Sequence, residues 1–205
     1  MFKKFCIVLF IVSLLGQITW AEQSSALVTG CNGCHAKAAL QGDPSIPNIS
    51  GQHFFYLYTQ LKDYKAGRRS HNVMSTIAQQ LTKAEMKALA MHYAEKPWDK
   101  VIAEIDGSND SRASEILEAG GRNSCLKCHS NLIGLNGTPR LAGQKASYLR
   151  ATMLAFKNKT RLNAATKNTL FKDVTDSDID ALASYISTQQ IAYPRARLRL
   201  ISGSL

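Results

Sequence analysis

The chain of 205 residues lacks the repeated long hydrophobic runs of a multi-span membrane protein. A composition of 45% hydrophobic and 20% charged residues excludes a disordered tail protein, and it bears no likeness to a collagen fibre. Alternating strand patterns are scarce. Five cysteines are too few for a disulfide-dense scaffold. The second half is short of metal-binding side chains: beyond residue 107, His129 is the only histidine and Met153 the only methionine.

What is present begins with an address label. Lys3 and Lys4 precede an apolar stretch from Phe5 to Leu15, broken only by Ser13. That is about 11 residues, against the roughly 20 that span a bilayer. Thr19-Trp20-Ala21 follows, with small residues at the two positions read by a signal peptidase. Residues 1–21 therefore read as a secretory signal cleaved near Ala21, taking Cys6 with it. The mature chain keeps four cysteines.

Those four stand in two copies of Cys-x-x-Cys-His: Cys31-Asn32-Gly33-Cys34-His35 and Cys125-Leu126-Lys127-Cys128-His129. The pattern is the attachment site of c-type haem. Two sulfurs reach two vinyl groups on one porphyrin edge, and the next residue swings its imidazole under the iron. A thioredoxin-like redox pair needs a βαβ context that the chain does not show. A zinc site would have to join knuckles 94 residues apart, each trailing a histidine. Two covalent haem c groups are the expected cofactors, anchored by Cys31, Cys34, Cys125 and Cys128, with His35 and His129 on the irons.

The chain repeats itself. Pro47-Asn48-Ile49-Ser50-Gly51-Gln52 matches Pro139-Arg140-Leu141-Ala142-Gly143-Gln144 at an offset of 92, as do Tyr56-Leu57 and Tyr148-Leu149, Tyr64 and Phe156, and Arg69 and Arg161. Leu89-Ala90 matches Leu182-Ala183 at 93. The periodicity predicts an all-α fold. One helix is expected from Gln52 to Ala66, and another after the capping box Thr82-Lys83-Ala84-Glu85. A third is expected from Asp110 or Ser111 to Gly120-Gly121, and a fourth from Thr175. The boundary falls in Lys96 to Asp110, so residues 22–107 and 108–205 are expected to form two tandem haem domains.

Two class I cytochrome c domains in tandem, each with Gly-Gln-x-x-x-Tyr-Leu after its haem motif, resemble the cytochrome c4 family of periplasmic di-haem electron carriers. The resemblance implies export to the periplasm and electron transfer to or from membrane-bound oxidases or other redox partners. It also implies that the Pro47 and Pro139 carbonyls receive the proximal imidazole N–H groups. Each iron would take a methionine from a loop ahead of the last helix of its domain. In the first domain that residue is Met74. Met86 and Met91 lie at core spacing on a helix, and His71 would depart from the family pattern.

The second domain departs from that pattern. An offset of 92 maps Met74 to Thr166, and 93 maps it to Lys167; the loop from Thr160 to Leu170 has no methionine, histidine or cysteine. The sixth position of the second haem stays open between an unliganded or water-bound iron, Lys167, and a rearranged Met153. Asn163 and Asn168 are weaker candidates. An open iron would suit a haem enzyme or a small-ligand-binding protein. However, the loop has no His, Glu or Asp before Asp173 to act on a bound ligand, so an electron carrier is favoured over an enzyme.

Charge is uneven. Residues 22–107 carry 9 Lys+Arg against 8 Asp+Glu; residues 108–205 carry 14 against 7, including Arg195, Arg197 and Arg199 in a basic C-terminal tail. Such a face suits an acidic protein partner or an anionic membrane surface. Nucleic acid is not expected for an exported haem protein, and the tail has no interleaved aromatics past Tyr193.

Overall fold

The computed structural model describes residues 20–36, 43–98, 110–119 and 125–190. Residues 1–19 of the leader, the linker centre and the arginine tail lie outside the described residues. Among those described, all regular structure is helical: α1 (Trp20–His35), α2 (Phe54–Lys65), α3 (Asn72–Gln80), α4 (Lys83–Ala94), α5 (Asp110–Glu118), α6 (Cys125–His129), α7 (Ala146–Lys157), α8 (Ala165–Leu170) and α9 (Asp176–Thr188). No described helix is long and apolar enough to cross a membrane.

The two halves build two cores in the same order. In the first, α4 packs on α1 and α2, and α3 rests on α2. Leu57, Leu81, Met86, Leu89, Ala90 and Tyr93 close the core, with Leu27, Val28 and Cys31 of the haem-motif helix against it. In the second, α9 packs on α5 and α7, and α8 rests on α7. Ile179, Leu182, Ala183 and Ile186 of α9 meet Leu149, Met153 and Phe156 of α7, with Ala113 and Leu117 of α5.

The last helix of each half starts at a full capping box. Thr82 Oγ1 accepts from the Glu85 N–H at 3.2 Å while the Glu85 carboxylate returns to the Thr82 N–H at 2.7 Å. Thr175 and Asp178 do the same at 3.0 and 3.3 Å. Each box satisfies two N–H groups that a helix start leaves without intrahelical partners.

Three expectations shift. The helix predicted from Gln52 starts at Phe54, after an extended His53. The segment expected as a loop around Met74 is helix α3, and part of the Thr160–Leu170 loop is helix α8. In the Met74 segment Val73 is 54% and Ile77 39% exposed while Ala78 is buried, and the segment is rich in β-branched and polar residues that favour helix weakly.

Candidate haem sites and the surface between them

The first Cys-x-x-Cys-His motif closes helix α1, against which the last helix of its half, α4, packs; the second motif is helix α6 itself, which packs on α5. In the first, the Tyr93 hydroxyl of α4 donates to Asn32 Oδ1, inside the motif, at 2.8 Å. The four motif cysteines form no disulfide. Among the described residues, no three His, Cys, Asp or Glu side chains converge as a metal-ion cluster.

The histidines are prepared as ligands. His35 Nδ1 lies 3.0 Å from the Pro47 carbonyl oxygen, and His129 Nδ1 lies 3.0 Å from that of Pro139. A carbonyl only accepts, so Nδ1 carries the proton and Nε2 keeps its lone pair for a metal. Both rings are buried. Burial pushes the imidazole pKa of each down, that of His129 to about 4, and the protein therefore holds them neutral.

After His129 the chain turns through Ser130, Asn131 and Leu132 at φ 42°, 53° and 67°, three successive left-handed residues. Side chains with a Cβ resist that region at about 1–2 kcal/mol each. The turn is held by the Gly134 N–H on the His129 carbonyl at 2.7 Å and by the Leu132 carbonyl, which accepts from Leu141 N–H at 2.8 Å.

Met74 is the third residue of α3 and is partly buried. His71 is exposed and caps the same helix, its Nδ1 accepting from the Met74 N–H at 3.3 Å. Met86 is buried in the first core, and Met91 stands on the exposed side of α4. The far end of α3 is tied to α2 by Lys65 Nζ, which donates to the Gln79 and Leu81 carbonyls at 3.0 and 2.6 Å. In the second half, Lys167 is the third residue of α8.

Nothing in the repeat pattern marks how the two halves meet. Gln144 donates from Nε2 to the Asn48 carbonyl at 2.8 Å and accepts the Asn48 N–H at 2.9 Å. Gln52 does the same to Arg140, at 3.1 and 2.9 Å. Each glutamine of the repeated Gly-Gln pair thus grips the backbone of the opposite half, at repeat-equivalent residues. Around this clasp, His53 Nε2 donates to the Ile133 carbonyl at 3.0 Å, and its repeat counterpart Lys145 donates to that of Asp43. The Trp98 indole N–H donates to the Ala142 carbonyl at 2.8 Å.

Near the same boundary lie two buried arginines. Arg69 stacks on Tyr64, 4.6 Å to the ring centre, and Arg161 on Phe156 at 4.5 Å. Arg69 donates to Tyr148 Oη and Gln60 Oε1, both at 2.9 Å; Arg161 donates to Gln60 Oε1 at 2.8 Å and Asn163 Oδ1 at 3.0 Å. Among the described residues, neither guanidinium is paired with a carboxylate. Burial alone would raise the Tyr148 phenol, but the two guanidiniums outweigh it and pull it down. A buried charge calls for an opposite one. Haem carries carboxylates, and these arginines, with the neutral histidines and free thiols, fit the group. Arg69→Met in the haem-loaded protein is expected to lower a midpoint potential, because losing a nearby positive charge favours the oxidised iron. A unit charge about 10 Å away at an effective dielectric near 20 is worth about 1.7 kcal/mol, on the order of 70 mV. Spectroelectrochemical titration reads the shift; an unchanged or raised potential counts against this role.

The fold and the paired motifs define a two-haem c-type cytochrome. No family profile matches the chain. The cytochrome c4 of Pseudomonas aeruginosa is 30% identical over 176 residues, which cover 81% of this chain and 86% of that protein. The thiosulfate dehydrogenase electron acceptor of Thiomonas intermedia is 28% identical over 88% of this chain and 90% of its own length. The solved cytochrome c4 of Acidithiobacillus ferrooxidans superposes with a TM-score of 0.69 at 29% identity, covering 78% of this chain and 98% of that one. The chain belongs to the cytochrome c4 family. It is an electron-transfer cytochrome with two covalently attached haem c groups.

Proposed function

We propose that this protein is a periplasmic carrier that relays electrons through two haems between a soluble redox partner and a membrane-bound oxidase or reductase. Residues 22–107 form the first haem domain and 108–205 the second. Cys31, Cys34, Cys125 and Cys128 anchor the haems, His35 and His129 are the proximal ligands, and Met74 is the distal ligand of the first. Bound haem supplies a one-electron iron couple at each site.

The observation that carries the reading is the reciprocal Gln52–Gln144 clasp, which ties two equivalent haem-binding motifs into one body. A relay needs its two sites held at a fixed separation, and this surface provides that. The enzyme alternative is weakened by the surroundings of α8: beyond Arg161 the first acid is Asp173, and it is exposed. The likeness to a thiosulfate dehydrogenase electron acceptor makes a thiosulfate-oxidising enzyme the first donor to try. The basic second half is suited to an acidic docking face.

Anaerobic stopped-flow mixing tests this. With thiosulfate and a thiosulfate dehydrogenase, both haems should reduce, and membrane vesicles bearing a terminal oxidase should reoxidise them. Rates of docking should fall as salt is raised, since exposed charges are screened beyond roughly 8–10 Å at physiological ionic strength. Turnover of thiosulfate or peroxide by the protein alone would overturn the reading in favour of an enzyme.

A further inference from the structure

We propose that Lys167 is the sixth ligand of the second haem, an amine standing where the first haem has the Met74 thioether. The inference rests on the reading that His129 holds a haem, and it adds a ligand which the repeat alone left ambiguous.

The helices settle the register. Arg69 and Arg161 are equivalent at an offset of 92, but α3 begins three residues after Arg69 and α8 four residues after Arg161. The extra residue lies in the turn at 162–164. From there the offset is 93, and it is still 93 at Leu89 and Leu182 on the last helices. Met74 therefore corresponds to Lys167, not to Thr166: each is the third residue of its helix. Each helix also rests on the equivalent neighbour, α3 on α2 and α8 on α7.

Lys167 is half-buried on α8. The rivals are committed elsewhere. Asn163 donates to Asp63 Oδ2 at 2.8 Å and Gln60 Oε1 at 3.1 Å, and accepts from Arg161. Met153 is buried in the second core on α7, at the repeat position of Leu61. The side chain of Asn168 lies outside the described residues.

The chemistry balances simply. The ammonium gives its proton to solvent, the nitrogen lone pair forms the bond to iron, and a water leaves; no electron is transferred. A nitrogen in place of a thioether sets a lower potential on the second haem. Electrons then run downhill from the Lys167 site to the Met74 site.

The test uses the ferric, haem-loaded full chain. Pyridine haemochrome analysis first counts haems; fewer than two per chain defeats the underlying reading and this one with it. With two present, the wild type should show two low-spin irons by electron paramagnetic resonance. Its sulfur-to-iron charge-transfer band should have the intensity of one His/Met haem. Lys167→Ala should turn one low-spin iron high-spin. Lys167→Met should double the charge-transfer band and raise the lower of the two midpoint potentials. A high-spin iron already present in the wild type and unaltered by Lys167→Ala overturns the proposal in favour of an open position. A wild-type band of two-haem intensity that Met153→Leu halves overturns it in favour of Met153.

Discussion

Gln144→Leu should lower the stability of the haem-loaded protein by about 3 kcal/mol, more than any change to an exposed side chain. The amide of Gln144 serves three backbone groups: the N–H and C=O of Asn48 across the boundary and the N–H of Lys145 beside it. Asn48 is only 2% exposed, so water does not readily replace the lost bonds. Two buried backbone groups at about 1–3 kcal/mol each set the magnitude. In a chain of this size that corresponds to roughly 6–12 °C in Tm. Gln52→Leu should cost less, because its partner Arg140 is only partly buried. The double variant should fall short of the sum, since the first substitution already loosens the surface on which the second acts. Denaturant titrations of the three variants check this. Midpoints equal to wild type would show that the clasp does not form in solution.

Gly51→Ala should have an effect of similar or greater size, from a different cause. Gly51 sits at φ +70°, and a Cβ there would lie 2.4 Å from the Trp98 backbone nitrogen. The left-handed conformation alone costs a residue with a side chain on the order of 1–3 kcal/mol. The clash is with backbone, which cannot rotate away, and overpacking typically adds about 1–3 kcal/mol. Gly51 N–H also donates to the Tyr93 carbonyl at 2.7 Å, which fixes α4 against the loop carrying Pro47. A shift there would displace the Pro47 carbonyl from His35. The variant should thus show a lowered unfolding midpoint together with a disturbed first-haem spectrum. A stable variant with an unaltered spectrum would contradict the close approach of the linker to this loop.

Much of this was legible because haem attachment uses short, contiguous motifs. Cys31 to His35 and Cys125 to His129 state their chemistry in five residues, and the proline carbonyls follow at matching distances in the chain. The capping boxes at Thr82 and Thr175 were equally local. The Gly-Gln pair was visible as a repeat, but its purpose was not. A side chain that bonds backbone 88 or 96 residues away leaves no periodic trace. Helix α3 was missed because the resemblance placed a ligand loop there, and few of its residues are buried: Val73 and Ile77 are exposed, while Ala78 is buried. The repeat mapped Met74 to either Thr166 or Lys167, because the place of the extra residue between Arg161 and α8 shows only in where the helix starts.

The symmetry of the clasp has a consequence for how the molecule stays together. Equivalent residues on the two halves exchange the same bonds, as in the contact between twofold-related copies of one chain. A face that recognises its own repeat also recognises the same face on another molecule. Two things favour the internal pairing. Gln60 and Asp63 are not matched in the repeat, their counterparts being Thr152 and Ala155, and their partner Asn163 lies in the turn that holds the extra residue, so the match is best between unlike halves. The linker from Lys96 to Asp110 then supplies the partner at an effective concentration in the millimolar range for a short tether. Cutting that tether would turn an intramolecular seam into a concentration-dependent association, and the sequence of the linker would matter less than its being unbroken.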